Sequence, residues 1–127
     1  MQNWFWLALA AFSIFMFMQG SLPAAAKLSP GEVRDAVASQ KDLQLIDVRT
    51  PAENKEARLA GSKLIPLNEL PSRLGELSKD KPLIVYCRSG NRSGQALKLL
   101  FKNGFKQAQH LEGGIIAWQA AGLPVTR

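Results

Sequence analysis

Strand-like apolar runs alternate with helical stretches along this chain, and that alternation constrains the fold more than any other feature. Ser29-Pro30-Gly31-Glu32 is a capping box with proline at the first helical position, predicting a helix through Val33, Ala36 and Val37. Leu43-Gln44-Leu45-Ile46-Asp47-Val48 reads as a mostly buried strand. Thr50-Pro51-Ala52-Glu53 repeats the capping box and opens a short helix expected to fail near Gly61. Residues 63–66 form a brief strand, and Leu70, Leu74 and Leu77 mark one face of a helix capped by Asn68. Pro82 opens a strand ending at Cys87. From Ser93 onward Ala96, Leu97, Leu100 and Phe101 share a helical face, which Asn103-Gly104 ends with a left-handed cap signal. Residues 107–111 form another strand leading into Gly113-Gly114, and residues 115–121 form a last helix stopped by Gly122 and Pro124. Such alternation predicts an α/β fold, a parallel sheet with helices on both faces. Ligands then sit at the carboxyl ends of strands, where Asp47, Cys87 and Gly113 fall. His110, beside polar Gln109, reads as a surface or edge residue with no role.

The chemistry concentrates at Cys87-Arg88-Ser89-Gly90-Asn91-Arg92-Ser93, which holds the only cysteine. A tight loop of small and polar residues aims backbone N–H groups inward and binds anions, and the helix that follows adds its positive end. Amides, dipole and the nearby Arg88 and Arg92 favour the thiolate, the nucleophilic form. A lone cysteine at a strand end is also commonly a buried structural residue. The basic, glycine-bearing residues directly after Cys87 favour the reactive reading.

Residues 4–18 are an apolar run of fifteen broken only by Ser13, short for a membrane span and right for a signal-peptide core. Gly20, Pro23 and the small residues Ala24 and Ala26 follow, so residues 1–26 are expected to be a signal peptide and residues 27–127 the single domain. No Lys or Arg precedes the core, which keeps an uncleaved membrane anchor as the alternative. The expected location is periplasmic or secreted. All sixteen Lys and Arg and all ten Asp and Glu lie from Lys27 onward, so that part carries the net charge of +6. The charges are spread with few interleaved aromatics, which reads as a solvated basic surface that attracts small anions, not as a nucleic-acid face. One cysteine excludes an internal disulfide, and a single histidine leaves no metal-ligand cluster, so neither metal nor other cofactor is expected.

Asp47-Val48-Arg49-Thr50-Pro51 with Glu53, then Gly61 and Ile65-Pro66, the cysteine loop, and Leu111-Glu112-Gly113-Gly114 with Trp118 and Gly122-Leu123-Pro124, together resemble the rhodanese family of sulfurtransferases. The resemblance covers nearly all of residues 28–125 and implies one domain with a parallel sheet of about five strands. It implies a ping-pong transfer in which Cys87 takes the outer sulfur of thiosulfate or a related donor, holds it as a persulfide, and passes it to cyanide or a thiol. Loop amides from Arg88 to Ser93 would stabilise the thiolate and the persulfide anion. Arg88 and Arg92 would hold the oxyanion end of the donor. Asp47 and Arg49 would pair or cap backbone near the loop, while Gly113, Gly114 and Trp118 would wall the pocket, although an aromatic on a helix facing a sheet is more often simply core. The resemblance is loosest at Asn54, Ala57 and Arg58, where relatives usually show an aromatic, a glycine and a histidine.

Phosphatases and arsenate reductases of related fold place five residues between cysteine and arginine. Here four, Arg88 to Asn91, separate Cys87 from Arg92, one short for phosphate. A non-catalytic interaction module of this type typically lacks the cysteine.

Overall fold

The computed structural model describes residues 22–127. Five strands, β1 Lys27–Leu28, β2 Gln44–Asp47, β3 Lys63–Leu64, β4 Leu83–Tyr86 and β5 Ala108–Leu111, form one sheet in the order β1-β5-β4-β2-β3. Every pairing is parallel. The α/β architecture is the expected one, with one strand that no periodicity announced. β1 has only two residues, too few to show a pattern, yet it pairs Lys27 with His110 and Leu28 with Leu111. Its presence makes β5 an internal strand.

Four helices complete the fold: α1 Pro30–Ser39, α2 Pro51–Glu56, α3 Asn91–Lys102 and α4 Gly114–Ala120. Both capping boxes form. Glu32 N–H donates to Ser29 Oγ at 3.2 Å and Ser29 N–H to Glu32 Oε1 at 3.0 Å. Glu53 N–H reaches Thr50 Oγ1 and Thr50 N–H reaches Glu53 Oε1, each at 3.2 Å. Each such cap is worth about 1 kcal/mol.

Two helices differ from expectation. α2 stops at Glu56 because the chain straightens at Ala57 and carries Leu59 into the core, where its N–H donates to the Tyr86 hydroxyl at 3.1 Å. The helix expected across Leu70, Leu74 and Leu77 is instead two 3-10 turns, Leu70–Ser72 and Leu74–Glu76, and Glu69, not Asn68, precedes the first. Only Leu70 of the three leucines is buried, and Gly75 weakens any continuous helix there.

The core is split by the sheet. Ile46, Val48, Val85 and Cys87 pack with Ala96, Leu97 and Leu100 of α3. On the other face Leu45, Ile84, Tyr86 and Leu111 pack with Val33 of α1 and with Ile115 and Trp118 of α4. Helices therefore cover both faces of β4, the middle strand, and Cys87 is the first residue beyond it.

The apolar run at residues 4–18 and Gly20 lie outside the described residues. Upstream of Lys27, Ala24–Ala26 form a 3-10 turn with Ala26 buried, and the Gln109 side-chain amide donates to the Ala25 carbonyl at 2.8 Å. Among the described residues no helix is long and apolar enough to cross a membrane.

Candidate active site

β4 delivers Cys87 to the floor of a short loop that turns at Gly90, where φ is +103°, and enters α3 at Asn91. A side chain other than glycine's would strain that backbone. The turn brings Gly90 N–H to 3.0 Å from Cys87 Sγ, and the thiol lies 3.5 Å from Ser93 Oγ. No side chain caps α3, so its first-turn N–H groups retain their positive potential beside the loop. Burial pushes the Cys87 thiol up, but hydrogen bonds from the Ser93 hydroxyl and from the Ser93, Gly90 and Ser89 amides outweigh it. The thiol therefore ionises below its ordinary range. Cys87 itself is buried, while Arg88, Ser89 and Asn91 are exposed.

The start of α4 holds the other side of this loop. Ile115 N–H donates to the Cys87 carbonyl at 2.9 Å and Ile116 N–H to the Arg88 carbonyl at 3.1 Å. The approach is so close that a Cβ at Gly114 would collide with the Arg88 carbonyl. Gly113 and Gly114 thus seat the loop's backbone. Trp118, expected at the pocket wall or in the core, is buried with Ile115 and Leu111, its indole N–H donating to the Pro124 carbonyl at 2.8 Å.

Asp47 and Arg49 meet in a buried pair. Arg49 Nε reaches Asp47 Oδ1 at 2.9 Å and Nη2 reaches Oδ2 at 2.7 Å, with Asp47 fully buried and Arg49 4% exposed. The Tyr86 hydroxyl donates to Asp47 Oδ2 at 3.2 Å, and the Asn54 amide reaches the same oxygen at 3.0 Å. Arg49 also donates to the Ala57 carbonyl at 2.6 Å and lies 5.4 Å from the Tyr86 ring centroid. Asn54 and Ala57 therefore complete the surroundings of this pair.

Arg92 forks onto Glu53, Nη1 to Oε1 at 2.7 Å and Nη2 to Oε2 at 2.9 Å. The Arg92 hydrogen bonds hold the Glu53 carboxyl at about 2. The Arg92 guanidinium, expected to hold the oxyanion end of the donor, thus already has a carboxylate partner. Arg88 lines a cleft of about 260 Å³ beside the loop together with Arg49, Glu53, Ile115 and Arg127.

His110 is the clearest correction. It is 5% exposed on an internal strand, with Nδ1 2.8 Å from Ser93 Oγ. The polar neighbour Gln109 suggested an edge, yet alternation puts His110 on the same face as buried Ala108, towards α3. Sequence reasoning also misses Glu53 and Tyr86, because the capping box accounts for the first and the apolar run that it closes accounts for the second. Among the described residues no three His, Cys, Asp or Glu side chains gather as metal ligands.

The model of the rhodanese-like domain family matches residues 29–121. A protein named sulfurtransferase from Allochromatium vinosum is 40% identical over 89 residues, covering 70% of this chain and 83% of that protein. A probable adenylyltransferase/sulfurtransferase, MoeZ, of Mycobacterium tuberculosis is 42% identical over 93 residues, 72% of this chain, which spans only 24% of that longer protein. Among solved structures, a rhodanese-related protein from Thermoplasma volcanium superposes with a TM-score of 0.72 at 32% identity, covering 79% of this chain and 96% of the other.

Proposed function

The chain belongs to the rhodanese family, and on that premise we propose that it transfers sulfane sulfur from thiosulfate or a similar anionic donor to a thiophile through a persulfide on Cys87. The observation that carries the proposal is the Gly90 N–H at 3.0 Å from Sγ, in a loop only four residues long before Arg92. A single sulfur atom is small enough to be held by such a loop.

In the first half-reaction the Cys87 thiolate attacks the outer sulfur of thiosulfate. A sulfur–sulfur bond forms to Sγ, the original one breaks, and sulfite leaves with its electron pair. The terminal sulfur carries the negative charge, which loop amides and the N-terminal end of α3 stabilise. In the second half-reaction cyanide or a thiolate attacks that terminal sulfur, the bond to Sγ breaks, and the Cys87 thiolate is restored. Arg88 and Arg92 supply positive charge for the departing oxyanion, and Arg92 can do so only by sharing its fork with Glu53.

The test is thiocyanate release from thiosulfate and cyanide by the full chain beside Cys87→Ser. Activity in the first and none in the second is expected, and equal activity would refute the role of Cys87. Thiosulfate alone should add one sulfur atom to the protein in a non-reducing mass spectrum. Turnover of a phosphate monoester by Cys87 would favour the phosphatase reading instead. We also propose an exported protein that loses residues 1–26. The mass of the exported chain tests this, and a chain starting at Met1 would support the anchored alternative.

A further inference from the structure

Ser93 lies at a junction of three groups. Its Oγ is 2.8 Å from His110 Nδ1, 3.2 Å from the Gly90 carbonyl and 3.5 Å from Cys87 Sγ. Ser93, His110 and Cys87 are all buried, so water does not replace a missing contact cheaply. A serine hydroxyl has one proton, and the three groups compete for it. While Cys87 is a thiol it can donate to Ser93. Once ionised it must accept, and Ser93 is the side chain within reach to donate.

His110 reaches this junction from β5, where it pairs with Val85 of β4 and Lys27 of β1. The charges that face it are Lys27 from β1 and Glu112 from beyond its own strand, while Arg92 on α3 faces Cys87. Burial pushes the imidazole down, Glu112 pulls it up and Lys27 pushes it down again, with a net fall. The ring is therefore neutral at neutral pH and carries one N–H.

We propose that His110 is a positioning residue for the nucleophile: its Nδ1–H donates to Ser93 Oγ, so the ring does not take the Ser93 hydroxyl proton, which rests on the Gly90 carbonyl while Cys87 is a thiol and turns to the charged Sγ once it ionises. With the proton on Nε2 instead, Nδ1 would take the serine proton through the 2.8 Å contact and the thiolate would lose it. The inference rests on Cys87 being the nucleophile. It adds a residue that touches neither donor nor acceptor, and it accounts for a polar ring inside the sheet's α3 face.

The lone cysteine makes the test clean. The rate of alkylation of the full chain by iodoacetamide, followed against pH, reports ionisation of Cys87. His110→Leu should raise the midpoint by a few tenths of a pH unit, because a Ser93 hydroxyl that no longer accepts from Nδ1–H is a weaker donor to the thiolate. His110→Asn, whose amide N–H can stand where Nδ1–H stands, should keep the wild-type midpoint. Ser93→Ala should raise the midpoint, and adding His110→Leu to it should change nothing further. The proposal is overturned if His110→Leu leaves the midpoint in place, if His110→Asn moves it as far, or if the double variant shows both shifts in full. Should His110→Leu not fold, His110→Gln replaces it, since its amide reaches towards the Nε2 position and leaves Ser93 without a donor, and the same rise is expected. Sulfur uptake is measured separately: a wild-type protein that takes no sulfur from thiosulfate refutes the donor reading, while the alkylation midpoints still decide the role of His110.

Discussion

Two arginine–carboxylate forks flank the cysteine loop with matching distances, one through Nε and Nη2 and the other through Nη1 and Nη2, in contrasting surroundings. Arg49 and Asp47 are 4% and 0% exposed, whereas Arg92 and Glu53 are 32% and 25% exposed. In the first pair the charges have left water, and the Tyr86 hydroxyl, the Asn54 amide and the Ala57 carbonyl take up the remaining hydrogen-bonding capacity. In the second pair solvent screens the attraction, so the pair contributes little and can be shared with an arriving anion. The buried fork is part of the frame beneath the loop. The half-exposed fork stays in contact with solvent.

The contrast is broken most severely by Asp47→Ala, which strands Arg49 without its counter-charge. A loss of about 3–5 kcal/mol of unfolding free energy is expected in urea titration. A change below 1 kcal/mol would show that Arg49 escapes to solvent. Tyr86→Phe removes one hydroxyl from the same network and leaves Leu59 N–H without its acceptor; the expected cost is about 1–3 kcal/mol. By the same measurement Glu53→Gln should cost less than about 1 kcal/mol, because the Arg92 pair is half-exposed. Its effect belongs to activity: KM for thiosulfate should fall as Arg92 is released, whereas Arg92→Lys, which keeps the charge and loses the fork, should raise KM more than it lowers kcat.

The smallest effect is in the pH dependence. Glu53 titrates near 2 when folded against an ordinary 4.5, so its folded pKa is depressed. Its contribution is present above pH 4.5 and disappears as pH falls from 4.5 towards 2. Glu76 is held down to about 2 by Arg73 and Lys63 and is lost in the same window. The measurement is therefore the difference between wild type and Glu53→Gln, which should narrow on acidification below pH 4.5. A difference that stays constant down to pH 2 would remove the Arg92 pair from the account.

What was legible in the sequence shares a physical character: it is local. The capping boxes at Ser29 and Thr50 need only residues three apart, and the left-handed turn signal at Asn103-Gly104 needs two neighbours; all three form, with Gly104 at a φ of +89°. The strand leading to Cys87 and the polar loop after it are equally local. The expected helix at Leu70, Leu74 and Leu77 shows the limit, since leucine spacing alone does not say whether about two turns of backbone will all face a core. β1 shows another, because a two-residue strand exists only through its partner on β5.

The amino-acid sequence by itself determined the alternation of strands and helices, the parallel sheet, and a single cysteine set in a glycine-bearing basic loop at a strand's carboxyl end. Each of those follows from short-range sterics, capping and polarity. Only the tertiary structure decided that His110 lies beneath Ser93, that Arg92 meets Glu53 and that Tyr86 reaches Asp47, contacts that join residues 17, 39 and 39 positions apart. No local rule relates such residues. They become neighbours because the sheet places β5 and β2 on either side of β4, and that placement surrounds one thiol with the groups that tune it.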